Sequence, residues 1–88
     1  MYAVVFEVDF KTDWSGDPDV ELDQLTGFIK SAPGFVRGTW TSDGRRGLSF
    51  ILFDNEAHAR AIADNAHMPD DASGILRSVA VYEVARDV

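Results

Sequence analysis

The chain has 88 residues, a formal net charge of -7 and no cysteine. That length suits one small domain over residues 1–88 and is too short for two. The acidic balance disfavours phosphate backbones and anionic bilayers, so neither nucleic acid nor membrane is expected as a partner, and the missing cysteines exclude disulfides and thiolate metal sites.

Tyr2, Val4, Phe6, Val8 and Phe10 recur at period two, with Ala3, Val5, Glu7 and Asp9 between them. This predicts a strand over residues 2–10 with one strongly apolar face and one mixed face. Lys11 to Gly16 is polar and reads as a loop. Its Trp14 either marks a contact surface or folds back as a lid. Asp17-Pro18 has helix-start chemistry, a capping carboxylate followed by a proline whose missing N–H is not needed. Leu22, Leu25, Phe28 and Ile29 then form one apolar stripe, and Ala32-Pro33-Gly34 stops the helix after Lys30.

Phe35 to Thr41 reads as a second strand and Ser42-Asp43-Gly44-Arg45 as a tight turn. Arg46 to Phe53 is the third strand, with Leu48, Phe50 and Leu52 on one face and Ser49, Ile51 and Phe53 on the other. Two apolar faces put it inside the sheet. Asp54 is the expected cap of a second helix, Asn55 to about Ala66, packed through Ala57, Ala61 and Ile62. Met68 to Gly74 reads as a loop and Arg77 to Ala85 as the fourth strand, with Ala80, Tyr82 and Val84 alternating against Val79, Val81 and Glu83.

The order strand–helix–strand–strand–helix–strand defines an α+β class. Two right-handed crossovers joined by a hairpin give the ferredoxin-like fold, a four-stranded antiparallel sheet with both helices on one face. Every strand carries apolar residues on both faces, so the helix-free face would expose an apolar patch. A homodimer that packs two sheets together hides it. A cysteine-free domain this small also has association as its remaining source of added stability.

The run Ser31-Ala32-Pro33-Gly34-Phe35-Val36-Arg37-Gly38 resembles the helix-to-strand junction of the dimeric α/β-barrel proteins. Leu48-Ser49-Phe50-Ile51-Leu52-Phe53-Asp54-Asn55-Glu56-Ala57, a strand running into an acidic, alanine-bearing helix, resembles them as well. The similarity is to antibiotic-biosynthesis monooxygenases and their haem-degrading relatives. It implies dimerisation into an α/β barrel with a small-molecule pocket between sheet and helices.

The haem-degrading branch uses an asparagine on the first strand, a tryptophan ending the third and a histidine on the second helix. Here the first strand has none of the first, the third ends in Phe53, and His58 and His67 fall near the helix start and past its end. Haem is not carried over, and no cofactor is expected. The cofactor-free monooxygenases act on phenolic, polycyclic molecules. They need an apolar pocket and a polar group that helps remove a proton.

Candidates for that chemistry are His58 and Tyr82 as catalytic residues and Trp40, Phe53 and Phe6 as ligand-binding residues. Each also has a plain packing or surface role open to it. His67 beside Asp70 and Asp71 has a spacing that fits no metal motif. Glu7, Asp9 and Glu83 fall on neighbouring strands, either as a paired carboxylate site or as ion-pair partners of Arg37 and Arg77. The expected function is therefore a small homodimer that binds an apolar ligand or a partner. The alternative is a cofactor-independent monooxygenase acting on an aromatic or quinone-like molecule. The N-terminus, Met1-Tyr2-Ala3-Val4-Val5, has no basic segment of a signal peptide, and with no cysteine the reading is cytoplasmic.

Overall fold

The elements β1 (Tyr2–Phe10), α1 (Pro18–Lys30), β2 (Phe35–Ser42), β3 (Arg46–Phe53), α2 (Glu56–Asp64) and β4 (Gly74–Glu83) follow one another in a computed structural model that describes residues Met1–Val88. The strands form one antiparallel sheet in the order β2-β3-β1-β4. Each helical crossover skips one strand, which is the ferredoxin-like topology expected from the element order. β1 and β3, apolar on both faces, take the two central places.

Local chemistry sets most boundaries. The Asp17 carboxylate accepts the backbone N–H of Asp19 at 2.9 Å and caps α1. The expected cap of α2 is corrected by one residue. Asn55 accepts the N–H of His58 at 2.9 Å, while Asp54 reaches the His58 ring, 2.7 Å from Nδ1. The Asp54 carboxylate is thus taken by the His58 ring, and its backbone N–H donates to the Gly34 carbonyl at 2.9 Å, which leaves the cap to Asn55. Gly34 has φ +80°, and a Cβ there would strike both the His58 ring and the Asp54 carboxylate. The junction before β2 is thus locked to the junction before α2. α2 ends at Asp64, short of Ala66, where the Asn65 amide turns back to the Ala61 carbonyl at 2.7 Å.

β4 also departs from expectation, running from Gly74 to Glu83 instead of Arg77 to Ala85. Its start hides in a turn-rich stretch, because only pairing with Phe10 makes Gly74 a strand residue. A Cβ at Gly74 would come within 2.8 Å of the Asp9 carbonyl, so the close approach requires glycine. A bulge between Glu7 and Val8 of the ladder leaves Arg77 unpaired.

Val4, Ile51 and Phe53 are fully buried and form the core with Ile29 and Ala59. Phe35 meets Phe53 edge to face, with centroids 6.5 Å apart. Only 9 of 88 residues are buried, a small core for the chain. The helix-free face exposes Leu48, Phe50 and Tyr82 at 38%, 43% and 58%. One end of that face is charged. Arg46 bridges Glu7 at 3.1 Å and Asp9 at 3.3 Å, and Arg77 meets Asp9 at 3.0 Å. The carboxylates of β1 are therefore ion-pair partners. Glu83 lies on the other face and accepts the Tyr2 hydroxyl at 2.9 Å.

Candidate functional site

α1 is amphipathic, yet its apolar stripe does not reach the sheet along its length. Ile29, in the last turn, is its only buried residue, while Leu22, Leu25 and Phe28 stay exposed. The gap beneath the helix is a cavity of about 310 Å³. Phe6, Ile51 and Trp40 of the sheet form its floor, Leu25 and Phe28 its roof, and Ile62 and Met68 a side. Eleven of the fourteen lining residues are hydrophobic, and none is Asp, Glu, Lys or Arg.

A second, more polar space of about 530 Å³ adjoins it toward the start of α1. Val8, Leu25, Trp40, Ser49 and Met68 line both, so the two lie side by side as an inner and an outer chamber of the space beneath α1. Trp14 folds back over the outer chamber, and its indole N–H donates to the Asp71 carbonyl at 2.9 Å. A Cβ at Gly16 would meet the Trp14 ring, so a residue without a side chain seats that indole. Lys11 donates to the Asp70 carbonyl, and both carboxylate oxygens of Glu21 are taken by Ser73, one by its N–H at 2.8 Å and one by its hydroxyl. These contacts tie the start of α1 to the segment before β4.

Of the five residues singled out from sequence, Phe6 and Trp40 line the inner chamber. Phe53 is completely buried in the core, behind Phe35. His58 points to Asp54 and Gly34 at the start of α2, outside the cleft. Tyr82 pairs with Ala3 on the helix-free face, 58% exposed. The structure thus separates the two candidate catalytic residues from each other and from the pocket. His67 lines the chamber instead, just past α2, with Nδ1 3.4 Å from the Asn65 carbonyl. Its position past the helix end was expected, but only the packing of that segment against the sheet brings it to the chamber. No group of three or more His, Cys, Asp or Glu is arranged to hold a metal ion. No helix is long and apolar enough to cross a membrane.

The sequence matches no family model and no curated protein. Among solved structures the chain is similar to the crystal structure of an arginine-to-serine mutant of MhuD with two manganese protoporphyrin IX molecules bound per active site. The TM-score is 0.58 at 16% identity, over 100% of this chain and 98% of the other. The likeness is one of fold, and it agrees with the resemblance to ferredoxin-like α/β-barrel proteins read from the order of elements.

Proposed function

We propose that the cleft beneath α1 binds a small apolar, aromatic molecule, in a cytoplasmic protein that acts as a homodimer. The observation that carries the ligand reading is the preformed inner chamber of about 310 Å³, floored by Trp40 and Phe6. Sites for small molecules have that size and that mostly apolar lining. The dimer reading is supported by the exposed Leu48, Phe50 and Tyr82 on the helix-free face, beside a core of few residues. Two such faces packed together would close an α/β barrel.

A thermal-shift screen with aromatic polyketides, quinones and haem tests the ligand reading. A rise of several degrees with one aromatic class is expected, and silence across all classes overturns it. Analytical ultracentrifugation tests the dimer, which a monomer at micromolar concentration overturns.

A second reading, a cofactor-independent monooxygenase, is favoured by one observation: His67 lines an otherwise largely apolar chamber. An imidazole there would accept a proton from a phenolic substrate. The substrate would supply the electrons, a methylene becoming a carbonyl while the second oxygen atom leaves as water. Oxygen uptake with an anthrone is expected, one O2 per carbonyl formed, and its loss in His67→Ala would assign the base. No uptake with any such substrate removes this reading.

The porphyrin of the structural neighbour does not suit these residues. Protoporphyrin carries two carboxylates, and the inner chamber offers no Lys or Arg. Lys11, in the outer chamber, is already donating to Asp70.

A further inference from the structure

Ser49 lies midway along β3, where the two chambers meet. The sheet register sets it between Phe6 of β1 and Trp40 of β2. Its companions on the same side of β3 are Gly47, Ile51 and Phe53, all buried, so it is the one polar side chain in a core-facing row. A half-buried hydroxyl without a partner is unfavourable. Packing alone would favour a β-branched apolar residue such as valine there.

Apart from His67 at its edge, whose Nδ1 lies 3.4 Å from the Asn65 carbonyl, the other polar side chains of the cleft are engaged within the protein. The Thr41 hydroxyl donates to the Leu48 carbonyl at 2.7 Å, and Ser42 accepts the N–H of Gly44 at 2.9 Å. Ser73 donates to Glu21, Asn65 to Ala61, and Lys11 and Trp14 to the backbone of residues 70 and 71. The Ser49 hydroxyl makes no hydrogen bond to protein. No buried side-chain polar atom in the structure lacks a partner, so this hydroxyl is open to the chamber.

We infer that Ser49 is the hydrogen-bonding anchor of the ligand site, meeting a hydroxyl or carbonyl oxygen on a flat ring system held against Phe6 and Trp40. This rests on the reading that the cleft binds an aromatic ligand, and it narrows the class to uncharged phenols and quinones. A charged group would lose its hydration in the inner chamber with no counter-ion to replace it. A site built around a hydrogen bond discriminates against the analogue that lacks it, because its own polar group is then left unpaired.

The test compares 2-naphthol with naphthalene, which share a ring system and differ by one hydroxyl. Quenching of Trp40, the tryptophan that lines the inner chamber, reports binding in the unaltered chain. The expected result is binding of 2-naphthol about three- to tenfold tighter than naphthalene. Ser49→Ala should abolish the preference and leave naphthalene binding as it was, and Ser49→Thr should restore it. An undiminished preference in Ser49→Ala overturns the role of Ser49 and leaves the ligand site standing. Absence of any Trp40 response to either probe overturns the ligand site and the anchor together.

Discussion

The two helices lie on the same side of the sheet and make opposite use of it. α2 packs through small side chains, with Ala59 fully buried and Ile62 and Ala63 beside it. α1 is longer and carries Leu22, Leu25 and Phe28, yet it buries only Ile29. Alanines let a helix approach a sheet closely, whereas large side chains hold it away. Where the opposing sheet residues are Gly47 and Ser49, no volume fills the gap. α2 contributes stability to this fold, and α1 roofs an open space. The difference shows that an amphipathic stripe predicts which side of a helix faces the sheet but not how deeply it packs.

The largest test of this contrast is at the core that both helices reach. Phe53→Ala should cost about 3–5 kcal/mol in denaturant unfolding, since it leaves a void at a fully buried position. Ala59→Leu forces α2 off the sheet and should cost about 1–3 kcal/mol. Asn55→Ala, which frees the N–H of His58, should cost about 1 kcal/mol, and Asp54→Ala should leave the helix start intact. Leu25→Ala on the lifted helix should change stability by less than about 0.5 kcal/mol, in keeping with its exposure, while weakening aromatic binding measured at Trp40. A Leu25 cost equal to that of Ala59 would break the distinction between the helices.

The smallest effect lies in the β2–β3 turn, remote from both helices, and serves as a control. The backbone N–H groups of Arg46 and Arg45 hold the Asp43 carboxyl below the ordinary aspartate range. A lowered folded pKa means that the contribution is complete above the ordinary carboxylate value, about 4. It is then lost as pH falls through the lowered folded value. Asp43→Asn should remove that part of the acid dependence of the melting temperature and leave ligand binding unchanged.

Some of this was legible in the residues and some was not. β1 and β3 have the limits their alternation predicts, because period-two patterning over eight or nine residues has no competing reading. The cap of α2 shifted because Asp54 and Asn55 are both good caps. The His58 ring, which occupies the Asp54 carboxylate, chose between them. The start of β4 was hidden since Gly74 looks like a turn residue until Phe10 pairs with it. In the site, the alternation of β1 carried Phe6 to the pocket floor. Tyr82 alternates just as regularly, but its register against Ala3 assigns it to the opposite face.

The sequence by itself determined the order of elements, the ferredoxin-like topology and which strand side chains share a face; on α2 the expected contacts Ala57 and Ala61 are exposed, and Ala59 and Ala63 pack with Ile62 in their place. Those follow from local periodicity and from turn and cap chemistry, which act over a few residues. Only the tertiary structure decided that the space under α1 stays open, that Trp40, Phe6 and Ser49 line it, and that His67 replaces His58 and Tyr82 at its edge. Periodicity sets the direction of a side chain. The distance between two layers depends on the summed volumes of residues far apart in the chain, and that sum exists only once they are packed.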